Sequence, residues 1–175
     1  MFQMLKSLWE YRNFIASSIR NEFLSRFARS RLGALWMLIH PLAQVAIFAL
    51  ILSNVLAAKL PGIDNKNAYA LYLMAGTLAW SLFSEIISRC LTLFIDQANL
   101  IKKMRFPRIA LPAIVVGSSL LNNLMLSLSV IIIFSLLGHP PTLALLWTPC
   151  LVLITVALAL GVGLILGILN VFIRD

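Results

Sequence analysis

Charged residues, acidic groups and cysteines are all scarce in this sequence, and each scarcity excludes a class of protein. Only 11% of the 175 residues are charged while 61% are hydrophobic, which lies outside the range of ordinary soluble domains. The six acidic residues are scattered, without the close pairs that acid–base catalysis or metal binding requires. The two cysteines, Cys90 and Cys150, make no metal cage, and we expect both to be packing residues. The sequence therefore predicts no catalytic residues and no metal site.

Motifs for ATP binding are also missing. The pattern Gly-x-x-x-x-Gly-Lys-[Ser/Thr] does not occur, so we predict no P-loop and no cofactor on this chain. His40 stands beside Pro41, and His139 lies among prolines and a glycine. Isolated histidines in such settings are more often structural than catalytic, so we predict that the protein is not an enzyme.

Long apolar stretches dominate the sequence instead. A helix rises about 1.5 Å per residue, so a stretch of about 20 or more apolar residues can cross a hydrocarbon core of roughly 30 Å. The sequence contains four such stretches: residues 34–58, 69–93, 109–137 and 143–172. The pattern predicts an all-α, polytopic helical membrane protein with four transmembrane helices in a single transmembrane domain spanning residues 1–175.

The net charge of +8 is distributed in a way that indicates topology rather than nucleic-acid binding. Basic residues concentrate in residues 1–33, in residues 94–108 and at Arg174, whereas the two other connections contain only Lys59 and Lys66. By the positive-inside rule, the basic segments face the cytoplasm. We therefore predict a multi-pass protein of a cell membrane with a cytoplasmic N-terminus.

The N-terminal residues 5–31 are too interrupted by charges to cross a membrane, and they predict an amphipathic helix. Such a helix lies along the inner membrane surface or packs on a soluble partner, and the two alternatives are compatible. Its apolar stripe follows three- to four-residue spacing: Leu8, Tyr11, Ile15, Ile19, Phe23 and Phe27.

Small residues and a short loop predict how the later spans pack. Gly163 and Gly167 have the small-xxx-small spacing that lets two helices approach closely. The turn at residues 138–141 is short, so we expect the third and fourth spans to be antiparallel neighbours.

Several polar residues and one tryptophan lie inside the predicted spans. Glu85 and Arg89 stand four residues apart, a spacing that favours an ion pair on one helical face; alternatively, Glu85 faces a wet pathway or a subunit interface. Asn122 and Asn123 are predicted to make interhelical hydrogen bonds, with at most one of them at a given interface. Trp80 either packs between helices or lines a pathway in which it stacks on sugar rings.

The inner loop at residues 96–108 predicts a compact basic helix close beneath the membrane. Asn99 can cap a short helix, and Pro107 ends it. Such an element either transmits force from a cytoplasmic partner or serves only as a solvated determinant of topology.

Ordered motifs along the chain resemble a known family. They are Ser30-x-Leu-Gly-x-x-Trp36 with Pro41, Gly76-x-x-x-Trp80, residues 99–107 with Pro112, and residues 170–175. In combination they resemble the permease subunit of ABC-2 type exporters, specifically those that export lipid-linked polysaccharide of the O-antigen type across the bacterial inner membrane.

The resemblance implies a homodimer of permeases bound to two ATPase subunits, which hold the ATP and Mg. It implies a gate at Leu32 and Gly33, and a candidate substrate path at Tyr69, Tyr72 and Trp80. Glu85 joins this candidate path because carboxylates inside a membrane often face a wet pathway. The residues implied to couple the permease to the ATPase are Asn99, Leu100, Lys102, Lys103, Arg105, Phe106 and Pro107.

Other functions remain open from the sequence. The transported substrate could be teichoic acid, another polymer or a small lipophile. From a different class, an integral membrane transferase or a passive scaffold subunit is the alternative. Family members continue for about two more spans beyond the motif that ends at Asp175, so we expect the chain to be truncated after its fourth span.

Overall fold

A computed structural model describes residues 9–28, 66–97, 109–136, 138 and 142–172, together with the isolated positions 35, 39, 43 and 47. Within these residues the backbone is almost entirely helical and contains no β-strand. The prediction of an all-α fold is therefore confirmed. The first predicted span at residues 34–58, the gate at Leu32 and Gly33, and most of the inner loop at residues 96–108 lie outside the described residues.

Four α-helices and one short 3-10 helix account for most of the described residues. They are α1 (Arg12–Ala28), α2 (Lys66–Asp96), α3 (Ala110–Leu136), the 3-10 helix (Leu143–Trp147) and α4 (Thr148–Phe172). Three segments are long and apolar enough to cross a membrane, namely Tyr72–Asp96, Ala110–Leu136 and Leu145–Phe172. These segments confirm that three of the predicted stretches are helices of spanning length.

The α3 helix runs antiparallel to α2 and packs along it. At one end, Met74 of α2 lies in a buried cluster with Val130, Ile133 and Phe134 of α3. At the other end, Leu93 of α2 shares a second cluster with residues at the start of α3. Burial of these apolar side chains from both helices holds the pair together over most of its length.

The α4 helix packs mainly against α2 and makes only slight contact with α3. A Cβ atom added at Gly163 would lie 2.8 Å from Cβ of Cys90, and one added at Gly167 would overlap the carbonyl oxygen of Cys90. The two glycines therefore permit a backbone-to-side-chain approach that any larger residue would block. Contacts advance in the same direction along both helices, so α2 and α4 are parallel.

This arrangement bears on three predictions. The third and fourth spans were expected to be antiparallel neighbours because the loop between them is short; they are antiparallel, but their contact is slight and the principal neighbour of α4 is α2. The glycine spacing correctly predicted a close helix contact. Cys90 is fully buried at this contact, as predicted, whereas Cys150 is exposed, so the prediction that it packs is wrong within the described residues.

The α1 helix packs against α3. Tyr11, Ile15, Ile19 and Phe23 are half-buried, and these are four members of the apolar stripe that the sequence predicts. Ile19 reaches the surface of α3 at Gly117, where an added Cβ would overlap the Ile19 side chain. At least part of the apolar face of α1 is therefore occupied by protein.

A glycine-dependent turn follows α3. The N–H of Gly138 donates to the carbonyl oxygen of Ser135 over 3.2 Å, and Gly138 has a φ of 85°. This left-handed conformation favours glycine, which ends helices in this way more readily than other residues. The turn predicted at residues 138–141 is consistent with this geometry, although only Gly138 of those four residues is described.

Candidate functional site

A polar cluster joins α1, α2 and α3, and Arg89 of α2 lies at its centre. Its Nη2 atom is 2.7 Å from Oε1 of Glu22 in α1 and donates to Glu22 Oε2 over 2.8 Å. Its Nη1 atom donates to Oγ of Ser118 in α3 over 2.5 Å. One guanidinium therefore connects three helices, using the forked arrangement of donors that arginine has and lysine lacks.

Glu85 occupies the other side of Arg89, one helical turn away. Its Oε1 lies 3.9 Å from Arg89 Nη1, and its Oε2 accepts a hydrogen bond of 2.9 Å from Nδ2 of Asn122 in α3. The predicted pair within α2 is present, but it is the longer of the two ion pairs of Arg89. The sequence does not indicate Glu22 as the nearer partner, because 67 residues separate it from Arg89.

Both asparagines of α3 donate to α2. Asn122 donates to Glu85, and Nδ2 of Asn123 donates to the carbonyl oxygen of Leu78 over 3.0 Å. Their interhelical role is therefore confirmed, whereas the prediction that at most one of them lies at a given interface is wrong. Adjacent side chains diverge by about 100° around a helix, and amide side chains on either side of the contact line are long enough to reach the same neighbour.

The charged side chains of the cluster are partly exposed, and its serine side chains are buried. The side chains of Arg89, Glu22 and Glu85 are 24%, 29% and 22% exposed, while Ser118 and Ser119 are buried. Among the described residues, every buried side-chain nitrogen and oxygen has a hydrogen-bond partner. Polar groups at membrane depth are costly unless they are paired in this way.

A cavity of about 390 Å³ lies beside the cluster, between α1 and the α2–α3 pair. Glu22, Arg89, Ser18 and Gln97 give it a polar wall. Its remaining lining is apolar and comes from Phe14, Leu93, Leu111, Ile114 and Val115. At this point α1 leaves an open space between itself and the α2–α3 pair.

The aromatic residues of α2 form a second feature, in the half of the helix that precedes the polar cluster. Tyr72 is 63% exposed and Trp80 is 67% exposed. A Cβ added at Gly76, which lies between them in the same line of residues, would meet nothing within 4 Å. We call the surface formed by Tyr72, Gly76 and Trp80 the aromatic face of α2.

Trp80 is not packed between helices within the described part of the chain. Its ring lies 5.7 Å from that of Phe83 in the same helix. Of the candidate path residues, the structure therefore places Tyr72 and Trp80 on an exposed face and Glu85 in the polar cluster. The side chain of Tyr69 is outside the described residues, as are the coupling residues Asn99, Leu100, Lys102, Lys103, Arg105, Phe106 and Pro107.

A residue of the C-terminal motif has a defined role in packing. Nδ2 of Asn170 in α4 donates to the carbonyl oxygen of Leu91 in α2 over 2.9 Å. This bond lies just beyond the contact of Gly163 and Gly167 with Cys90. Asn170 therefore adds an interhelical hydrogen bond near the C-terminal ends of α2 and α4.

Three helices of spanning length, joined by satisfied polar contacts, define a multi-pass helical membrane protein. Residues 14–175 match the family described as ABC-2 type transporter. The chain belongs to this family, which confirms the resemblance that the sequence motifs indicate.

Similar proteins come from two bacteria. The O-antigen export system permease protein RfbA of Myxococcus xanthus is 28% identical over 176 residues, an alignment that covers 100% of this chain and 65% of the relative. A protein of the same name from Klebsiella pneumoniae is 30% identical over 159 residues, covering 86% of this chain and 56% of the relative. The chain thus spans less than two thirds of the length of these relatives.

Proposed function

We propose that this chain is the permease subunit of an ABC exporter that moves lipid-linked polysaccharide of the O-antigen type across the bacterial inner membrane. The chain acts as a transport subunit and not as an enzyme. The observation that carries this proposal is its similarity to permeases named for O-antigen export, which in one case extends over 100% of the chain.

The aromatic face of α2 supports a saccharide as the cargo. Aromatic rings stack on the apolar faces of sugars, and Tyr72 and Trp80 expose their rings on the same half of a spanning helix. In the proposed transporter this face lines the path, and Tyr69 extends it. Glu85 lies further along α2 and contributes through the polar cluster that orders α1, α2 and α3.

A separate ATPase subunit supplies the energy in this proposal. ATP and Mg bind to that subunit, and two copies of the permease assemble with two copies of the ATPase. The basic loop containing Asn99, Lys102 and Arg105 docks on the ATPase, the turn at Leu32 and Gly33 borders the cytoplasmic gate, and the N-terminus is cytoplasmic.

Deletion of the gene tests the function in cells that carry it. We expect the polysaccharide to disappear from the cell surface while its lipid-linked form accumulates inside. An ATPase variant that binds but does not hydrolyse ATP is expected to give the same phenotype. Normal surface polysaccharide in the deletion strain would refute the proposed cargo.

Crosslinking tests the coupling assignment separately. A cysteine introduced at Lys102 or Arg105 is expected to crosslink to the co-expressed ATPase in a manner that changes with ATP. The matched control is a cysteine at Lys59, which is basic but lies in the connection assigned to the opposite side of the membrane. Equal crosslinking at Lys59 and Lys102 would contradict the assignment.

A further inference from the structure

We propose that the ion pair between Glu22 and Arg89 is a two-position joint through which movement of α1 is carried into the spanning helices. Glu22 and Arg89 are then positioning residues for transport, and this inference rests on the proposed function. In one position Arg89 binds Glu22 and α1 is docked; in the other, Arg89 binds Glu85 and α1 is released.

The distances around Arg89 define the docked position. Both carboxylate oxygens of Glu22 lie within 2.8 Å of Nη2, whereas the nearest oxygen of Glu85 lies 3.9 Å from Nη1. One guanidinium therefore stands between two carboxylates at unequal distances. Because a buried or half-buried cation in a membrane must keep an anionic partner, departure of Glu22 favours closer pairing with Glu85.

If Arg89 exchanges Glu22 for Glu85 as its partner, the change also affects α3. Arg89 also donates to Ser118, and Glu85 accepts from Asn122, so both partners of the exchange are tied to α3. A change at Glu22 is thus transmitted to both α2 and α3. A discrete element with two arrangements is what coupling between distant sites requires.

The described contacts that hold α1 in place are mainly with α3. Ile19 lies against Gly117, where the absence of a side chain leaves a shallow notch. Next to it, the cavity of about 390 Å³ separates part of α1 from α2 and α3. Neither buried cluster of the α2, α3 and α4 helices includes a described residue of α1.

The test compares matched variants in the complete complex of the protein with its ATPase. Glu22→Gln keeps the shape of the side chain and removes its charge; the control is Glu10→Gln, which makes the same change at an exposed residue. Arg89→Lys keeps the positive charge but removes the guanidinium group, with its several fixed N–H donors. Its control is Arg20→Lys, which makes the same change at an exposed residue. Membrane abundance, ATP hydrolysis and export of polysaccharide are measured for each variant.

We expect Glu22→Gln and Arg89→Lys to lower polysaccharide exported per ATP hydrolysed by about tenfold, the factor corresponding to the loss of one charge-assisted hydrogen bond. ATP hydrolysis and membrane abundance are expected to stay near wild type, as are all three measurements in the controls. A merely structural pair would lower export, hydrolysis and abundance together. Such a parallel loss would refute the proposed joint. It would also be refuted if Glu22→Gln exported as much polysaccharide per ATP as its control Glu10→Gln.

A double variant tests whether the two residues act through each other. Glu22→Gln combined with Arg89→Lys is expected to be no worse than the more impaired single variant, because residues that share one interaction are not additive. Multiplication of the two defects would overturn the proposal. If the wild-type complex exports polysaccharide, a contrary result with the single variants or with the double variant refutes only the proposed joint. If the wild-type complex exports none, the proposed function itself is refuted.

Discussion

Glycine at two positions of α4 determines how closely that helix meets α2. The carbonyl oxygen of Cys90 occupies the space that a side chain at Gly167 would need, and Cβ of Cys90 lies close to the corresponding position at Gly163. In a membrane, where helix association depends on van der Waals packing and hydrogen bonds, such contacts are a major source of stability. Asn170 adds a hydrogen bond to the same interface.

Substitution of Gly167 by alanine tests this contact. We expect the variant to be destabilised by about 1–3 kcal/mol, the usual cost of overpacking, since the obstructing atom belongs to the backbone and cannot rotate away. The matched control is Gly161→Ala, where an added Cβ would meet nothing within 4 Å. Thermal unfolding in detergent is the measurement. Equal unfolding temperatures for both variants would show that the α2–α4 contact does not depend on Gly167.

Residue-scale prediction from the sequence succeeded where the partner is local and failed where it is distant. The spacing of Glu85 and Arg89 correctly indicates an ion pair, because four residues form about one helical turn. It does not reveal Glu22, since the contact between α1 and α2 forms only when the chain folds and α1 packs on α3. The glycine spacing revealed a close contact but not which helix provides the other side.

At the scale of elements, α1 differs from the other three helices in how it is held. Its half-buried residues follow the predicted stripe, with Ser18 and Glu22 added to the apolar ones. Periodicity could identify this stripe because burial on one side of a helix repeats every three to four residues. It could not identify the occupant of that side, which includes α3 as well as any membrane surface.

Enlarging Gly117 is expected to displace α1. A leucine there would occupy the position of the Ile19 side chain, and the ion pair of Glu22 with Arg89 would have to lengthen. We expect a cysteine placed at Ser18, which lines the cavity, to react several-fold faster with a water-soluble maleimide in the Gly117→Leu background. Gly161→Leu is the control, because its position is open. Unchanged reactivity in both backgrounds would mean that Ile19 does not hold α1 in place.

The boundaries of the spanning helices were largely predictable. The stretches at residues 69–93 and 109–137 correspond to Lys66–Asp96 and Ala110–Leu136, because apolar length is the main determinant of a membrane helix. The start of the last stretch differs, since Leu143–Trp147 is a 3-10 helix before α4 begins. Prolines and small polar residues at such ends determine the local backbone, and hydropathy does not report on them.

For the whole molecule, two exposed tryptophans have different expected roles. Trp80 lies on the aromatic face of α2, whereas Trp147 is 72% exposed at an end of the last spanning segment, where tryptophan commonly anchors a helix in the membrane interface. The proposed function assigns sugar contact only to Trp80. The two residues therefore form a natural pair for comparison.

We expect Trp80→Leu to reduce the rate of polysaccharide export roughly fivefold, taking an aromatic contact as about 1 kcal/mol. Trp147→Leu should leave the rate nearly unchanged. Assembly with the ATPase should be normal in both variants, because neither side chain is buried. Equal export by the two variants would remove Trp80 from the path.

Reconstitution of the protein with its ATPase in sealed vesicles tests the central claim most directly. Lipid-linked polysaccharide is supplied on the face where the ATPase binds, and its arrival on the opposite face is measured by protection from an added glycosidase. We expect transfer that requires both subunits and hydrolysable ATP, and that stops with a non-hydrolysable analogue. Transfer at the same rate without ATP, or none from an ATP-hydrolysing complex, would contradict the account.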